Sequence, residues 1–305
     1  MDQDDSPGFT YVAKQECVCG APLRDSPTQV LRQFAWGEVR FVRCGSCGSY
    51  VQSPGITADS LARWYSSTDY FGSSSRAGAL YDDYLADEKA RQLEAKSRFV
   101  RDLQPFLARG DRLFEVGCAT GSLLRSALDA GYEVDGIDLS ETFVAMARDI
   151  NRLPVRVGDF IHTDLPPDHF AMVVMLGTVS NLQDLPGSLR QARRILRPGG
   201  IVFANLPVAD SLVARIYGSR YWMFSPSAAN FMTMAGFGGV LRSSGFEVIR
   251  NTMDRQRPSL GKLLHHLKFT AASLLLKRRA LSHLPLPFSI PLPGVRAVWA
   301  RKARV

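Results

Sequence analysis

Two sets of residues in this sequence have the types and spacing to do chemistry. The first is a pair of cysteine knuckles, Cys17-Val-Cys19-Gly20 and Cys44-Gly-Ser-Cys47-Gly48, separated by 24 residues that include the strand-like stretch 39–43. Four thiolates close a tetrahedral zinc site, and a glycine after each pair lets the backbone turn its N–H groups toward the sulfurs. The spacing predicts one structural zinc held by Cys17, Cys19, Cys44 and Cys47, with one intervening residue in the first pair where two are usual. The opening residues 1–8 are acidic and lack an apolar core, so no export signal and no disulfide are expected. The second set is Leu113-Phe-Glu115-Val-Gly117-Cys118-Ala119-Thr-Gly121, with Asp138 standing 17 residues after Gly121. Small residues at a strand-to-helix turn admit a ligand close to the backbone, and the helix start offers unpaired N–H donors. A carboxylate at the end of the next strand can accept from two ribose hydroxyls.

Such residues need a scaffold, and the hydrophobic pattern supplies one. From residue 112 the chain alternates apolar strands (112–117, 133–138, 154–157, 170–176, 201–206) with helical stretches (122–130, 141–150, 185–196). Strands separated by helices of 10–15 residues predict an α/β, Rossmann-like, doubly wound and mostly parallel sheet. A helix at 237–244 and strands at 246–250 and 295–301 complete seven strands, the last of them antiparallel. Three parts are expected: a zinc-ribbon-like module over 1–55, a helical connector over 56–108 that includes a long helix at 81–107, and a core over 109–305 with a basic amphipathic insertion at 251–294.

A glycine-rich turn alone serves NAD, FAD and S-adenosylmethionine alike, and three features separate them. Glu115 precedes the first glycine, where an acid repels a pyrophosphate but suits a cationic amino group. Gly158-Asp159-Phe160 follows the third strand, offering a carboxylate to an adenine amino group and a ring to pack on the base. Leu196-Arg-Pro-Gly-Gly200 precedes a strand, and the sheet ends in a hairpin. Together these resemble class I S-adenosylmethionine-dependent methyltransferases. Residues 81–88, the Gly-Cys-Ala-Thr-Gly loop and residues 210–218 narrow the resemblance to bacterial methyltransferases with an N-terminal zinc ribbon, acting in sugar, polysaccharide or natural-product pathways. It covers roughly 15–250 and the last strand. It implies cofactor contacts from Tyr84, Glu115, Gly117, Cys118, Ala119, Gly121, Asp138, Leu139, Asp159, Phe160 and Leu176, Cys118 being chiefly a small packing residue.

The sequence departs from that group on the acceptor side. Where Glu-His is usual after the fourth core strand, it reads Ser180-Asn181; where Pro-Pro-Glu-His is usual further on, it reads Ser225-Pro-Ser-Ala228-Ala-Asn230. A histidine base is therefore not found at either place. His162, His169, His265, His266 and His283 read as surface residues. Asn181, Tyr221 and Asn230 are left as candidates for acceptor contact, with orientation of an already nucleophilic acceptor replacing the base.

The expected activity is methyl transfer to a small molecule: a sugar (free, nucleotide-linked or lipid-linked), or alternatively a phenol or carboxylate. A non-catalytic cofactor-binding subunit is a further alternative, motivated by Ser180-Asn181. Nucleic acid is not favoured, because no Asn/Asp-Pro-Pro-Tyr/Phe element follows the fourth strand. Residues 251–305 hold eleven of the 37 basic residues and one acid, on a slightly acidic remainder, which suggests an anionic partner. No uninterrupted apolar run reaches about 18 residues, so a cytoplasmic chain is expected. The amphipathic stretch 261–281 leaves peripheral contact with the inner face of a membrane open, against the alternative that it covers the core or a second subunit.

Overall fold

The computed structural model describes residues 8–23, 29–34, 37–67, 88–221, 223–256 and 289–304. Tyr84, His265, His266, His283 and residues 257–288 of the basic insertion lie outside them.

The cysteine-bearing region consists of short strands: β1 (Tyr11–Val12), β2 (Gln29–Phe34), β3 (Gly37–Arg43), β4 (Tyr50–Gln52) and β5 (Gly55–Ile56). Val39 and Phe41 of β3 point inward with exposed Arg40 between them, the period of two that a half-buried strand requires. β2, β3 and β4 form an antiparallel meander. Helix α1 (Ala58–Ser66) follows, its first turn capped by the Thr57 hydroxyl accepting from the Ser60 N–H.

Helix α2 (Glu88–Arg98) runs into a π turn (Phe99–Leu103) and then a 3-10 turn (Gln104–Phe106). Of the helix expected over 81–107, residues 81–87 lie outside the described ones and the rest is regular only to Arg98, with Pro105, which has no N–H to donate, marking its end. The alternating core then reads β6 (Arg112–Val116), α3 (Ser122–Asp129), β7 (Glu133–Asp138), α4 (Glu141–Asn151), β8 (Val155–Val157), β9 (Phe170–Leu176), α5 (Leu185–Ile195) and β10 (Leu196–Pro207). It ends with α6 (Leu212–Tyr217), β11 (Asn230–Phe231), α7 (Met234–Ser243), β12 (Phe246–Gln256) and β13 (Ile290–Lys302).

Seven strands make one sheet in the order β12-β13-β10-β9-β6-β7-β8. Neighbours are parallel except around β13, which runs antiparallel between β10 and β12. This is the expected Rossmann-like architecture. All residues of β9 except Leu176 are buried, as befits a central strand covered on both faces. The Arg197-Pro-Gly-Gly turn interrupts the β9–β10 ladder between Leu196 and Ile201.

β11 does not join that sheet. It pairs antiparallel with β4, Asn230 opposite Val51 and Phe231 opposite Tyr50, and so completes a second sheet of order β11-β4-β3-β2. Tyr221, Phe224, Ala228 and Phe231 from the core side pack with Val30, Val39 and Phe41 from the ribbon side in one buried cluster.

Candidate functional site

The site begins at the carboxyl ends of β6 and β7, where the strand order places the first crossover. The turn 117–121 leaves β6 with Gly117 at φ +73 and Ala119 at φ +47. A Cβ on Gly117 would lie 2.5 Å from Thr178 Oγ1, so only glycine lets the loop close against the turn after β9. Helices α1, α4, α5, α6 and α7 each carry a side-chain N-cap, but α3 starts at Gly121 with none. A helix start of this kind, following a glycine turn, is where a ligand can approach the backbone N–H groups.

Asp138, the last residue of β7, faces this loop. One carboxylate oxygen accepts from the Ala119 N–H at 2.8 Å and the other from the Ser140 N–H at 2.9 Å. Burial raises the Asp138 pKa, and those N–H groups oppose the rise. Glu115 is 4% exposed, and its Oε2 has no hydrogen-bond partner among the described residues. Burial, and then the Asp138 charge, push its carboxyl well above the ordinary carboxylate range. A buried carboxyl with an unpaired oxygen is costly unless a cation or a hydrogen-bond donor meets it. The pair thus fits a ligand with a cationic end and ribose hydroxyls, which is the chemistry of S-adenosylmethionine, and repels a pyrophosphate. Cys118 is buried among Leu124, Val144 and Ala147 and serves packing.

Asp159 caps the turn after β8, accepting from the Ile161 N–H at 3.2 Å, and lies 3.0 Å from His162 Nδ1. Phe160 corrects the reading that its ring lies on a base: the ring is 3% exposed and turned into the core, 5.5 Å from Phe114. Leu139 is partly buried beside Asp138, and Leu176 packs at the edge of the cluster around Phe203 and Trp299.

Residues that the sequence did not single out close the site from the ribbon side. The Ser140 hydroxyl donates to the Tyr65 carbonyl at 2.9 Å, and the Thr142 hydroxyl donates to the Ser66 carbonyl at 3.1 Å. The end of α1 is thereby fastened just beyond Asp138. The Tyr65 hydroxyl is buried near Asp138, and burial and the Asp138 charge raise its pKa. Nothing local marks Tyr65, because its partners are distant in sequence.

The acceptor side gathers around the turn after β9. Asn181 is partly exposed at the end of a 3-10 turn (Val179–Asn181). Asn230 is 2% exposed, with its Nδ2 donating to the Leu182 carbonyl at 2.9 Å. Tyr221 is buried with its ring stacked on Phe231 at 5.3 Å. These two hold the ribbon against the core and present no free face to an acceptor, which corrects their assignment as acceptor contacts. Lys14 Nζ donates to the Gln183 carbonyl at 2.8 Å across the same seam. The buried Ser180 hydroxyl and Gln183 side-chain amide there have no partner among the described residues. His162 is exposed beside Asp159, and His169 is half-buried at the opposite end of β9, near Arg112.

The four cysteine sulfurs lie within 4.8 Å of one another, with Cys17–Cys47 at 3.6 Å and Cys19–Cys44 at 3.7 Å. A tetrahedron with zinc–sulfur bonds of about 2.3 Å has edges of about 3.8 Å, so this spacing suits one zinc and excludes a disulfide. The knuckle supports the core directly. Thr233 donates from its hydroxyl to the Cys47 carbonyl at 2.7 Å and from its N–H to the Ser49 hydroxyl at 3.1 Å.

Residues 86–251 match the sequence family described as a methyltransferase domain. The chain is 33% identical over 131 residues to 27-O-demethylrifamycin SV methyltransferase of Amycolatopsis mediterranei, a match covering 40% of this chain and 48% of that one. It is 26% identical over 171 residues to a ubiquinone biosynthesis O-methyltransferase of Rhodopseudomonas palustris, covering 53% and 64% respectively. The matches thus span about half to two-thirds of these curated relatives. A crystal structure of an S-adenosylmethionine-dependent methyltransferase from Archaeoglobus fulgidus shares the fold, with TM-score 0.51, 18% identity, and coverage of 72% of this chain and 100% of that one. With the matched region spanning more than half of its length, the chain belongs to the methyltransferase-domain family.

Proposed function

We propose that this chain transfers a methyl group from S-adenosylmethionine to a small-molecule acceptor carrying several hydroxyls, a sugar that is free, nucleotide-linked or lipid-linked. The observation that carries methyl transfer is the buried Glu115–Asp138 pair beside the glycine turn 117–121. When bound, the cofactor supplies an electrophilic methyl on a sulfonium. Glu115 then offers its unpaired oxygen to the cationic amino end, Asp138 accepts from ribose, and Asp159 accepts from adenine. On the acceptor side Asn181 is the partly exposed polar side chain at the turn after β9, with an amide that both donates and accepts as a polyhydroxylated molecule requires. Asn181 orients that molecule, and rate acceleration comes mainly from alignment rather than from a base. The basic composition of 251–305 supports a phosphate-bearing carrier or an anionic membrane surface as partner. Among the described residues no helix is long and apolar enough to cross a membrane.

A second reading, O-methylation of a hydroxylated aromatic, is favoured by the names of the rifamycin and ubiquinone relatives. One experiment separates the two: incubation with labelled S-adenosylmethionine and panels of sugar nucleotides, lipid-linked sugars and phenols. Label transfer to a sugar-bearing acceptor is expected. Transfer to phenols alone would move the assignment to the second reading, and failure to bind the cofactor at all would end both.

A further inference from the structure

A buried polar chain runs from the site into the core, and methyl transfer as described above makes no use of it. It starts at Gly177, the first residue after β9. Gly177 has φ +64, and a Cβ there would meet nothing within 4 Å, so a left-handed backbone rather than crowding selects glycine. Its N–H donates to Asn205 Oδ1 at 2.6 Å, and Asn205 Nδ2 donates to Asp254 Oδ2 at 3.0 Å. Asp254 on β12 is 1% exposed and accepts from both terminal nitrogens of Arg98, at 2.7 and 3.2 Å. Arg98, at the end of α2, is 3% exposed and also donates to Glu94 and to the Arg255 carbonyl.

The other end of the chain reaches the glycine loop. Thr178, next to Gly177, donates from its hydroxyl to the Val116 carbonyl at 3.0 Å. The same hydroxyl occupies the space that forbids a side chain on Gly117. One continuous path therefore joins α2, three strands of the sheet and the wall of the cofactor site.

Asn205 sits between partners with opposite needs. The Gly177 N–H requires its oxygen and the Asp254 carboxylate requires its amide N–H, so an amide answers both and an aspartate would set two carboxylates side by side. Phe203, the neighbour on the same face of β10, is apolar and buried, so the sheet itself does not call for a polar group here. A buried ion pair such as Arg98–Asp254 also adds little stability over apolar packing of the same volume. What the chain does provide is a fixed direction for one backbone turn.

Resting on the methyl-transfer reading, we infer that Asn205 and Asp254 are positioning residues that set the Gly177–Thr178 turn against the glycine loop, so that Arg98 in α2 governs the shape of the cofactor wall. The test uses the full chain with S-adenosylhomocysteine as the probe. Calorimetry gives affinity and hydrogen exchange reports the segment 176–181, both below the unfolding midpoint of each variant. Asn205→Asp should raise Kd about tenfold or more, as loss of a buried hydrogen bond predicts, and should speed exchange at Gly177. The double variant Asn205→Asp with Asp254→Asn reverses the polarity of the pair. Residue 205 again accepts from Gly177, while residue 254 donates to it and accepts from Arg98. It should return Kd to within about threefold of wild type. A purely structural role predicts otherwise: the midpoint would fall in Asn205→Asp and recover in the double variant while Kd stayed constant throughout, and that result overturns the inference. If Asn205→Asp does not fold, Thr178→Val removes only the hydroxyl that meets Val116, and unchanged affinity there overturns it equally. Wild-type chain that fails to bind the probe refutes the methyl-transfer reading itself, before any variant is compared.

Discussion

The two walls of the candidate site are built differently. The carboxylates of the cofactor wall come from one stretch, residues 112–140, in which a strand, a turn, a helix and a second strand bring Glu115, Ala119 and Asp138 together, with Thr178 behind the turn. The acceptor side, around Asn181, is held in place by segments far apart in the chain: Lys14 of the ribbon meets the Gln183 carbonyl, and Asn230 of β11 meets the Leu182 carbonyl. The first needs only the sheet to exist. The second needs the ribbon, its metal knuckle and the core to be joined. Damage to the knuckle should therefore reach the acceptor side and spare the cofactor side.

The largest effect is expected from Cys44→Ser. Elemental analysis should fall from about one zinc per chain to none, and since zinc contributes on the order of 10 kcal/mol to small modules, the ribbon should loosen. Hydrogen exchange should rise in β3 and β4 and also in residues 230–236, which Thr233 ties to Cys47 and Ser49. S-adenosylhomocysteine should still bind. Equal loss of cofactor affinity would erase the distinction between the walls.

Asp138→Ala tests the opposite wall. It removes the acceptor for the Ala119 and Ser140 N–H groups as well as any ribose contact, so Kd for the cofactor should rise about tenfold or more. Exchange at 230–236 should stay as in wild type.

A smaller, pH-dependent effect follows from Glu115. Burial raises its pKa in the folded chain, with Asp138 raised in the same direction. The folded chain then holds a proton that the unfolded chain has released, so stability without cofactor falls as pH rises from the ordinary carboxylate range through the raised Glu115 value. Glu115→Gln should reduce that slope, which is at most about 1.4 kcal/mol per pH unit for one proton, and should weaken cofactor binding. Denaturant unfolding across pH in both chains checks the sign; identical slopes would contradict it.

The least effect is expected from the histidines. His162 is 81% exposed at its side chain, and His169 lies at the far end of β9. Replacing either by alanine should lower turnover by much less than the roughly 10²–10⁴-fold that accompanies loss of a general base. A single histidine variant that abolishes transfer with cofactor binding intact would show that the acceptor wall does contain a base.

The same contrast explains what could be read from the sequence. The alternation of strands and helices, the glycine turn and the cysteine pairs are local patterns, and their consequences are local too. Asn205 and Asp254 look like ordinary polar residues of two strands, and only the sheet order brings them within 3.0 Å. Phe160 follows an aspartate as an adenine-facing ring would, yet the nearby Phe114 draws it inward. Asn230 and Tyr221 are polar enough to suggest an acceptor, and a tertiary interface uses them instead. Tyr65 carried no signal at all, since what distinguishes it is the start of α4 on the other side of the sheet's edge.

The pairing of β11 with β4 also sets an order of events during synthesis. Tyr50–Gln52 leaves the ribosome roughly 180 residues before Asn230 does, an interval of about ten to forty seconds at ordinary elongation rates. Through that interval β4 is an outer strand whose backbone groups await their partner, the kind of edge on which nascent chains stick to one another. The ribbon is thus made well before the strand that finishes it. A shortened chain that stops before residue 230 would carry that open edge permanently.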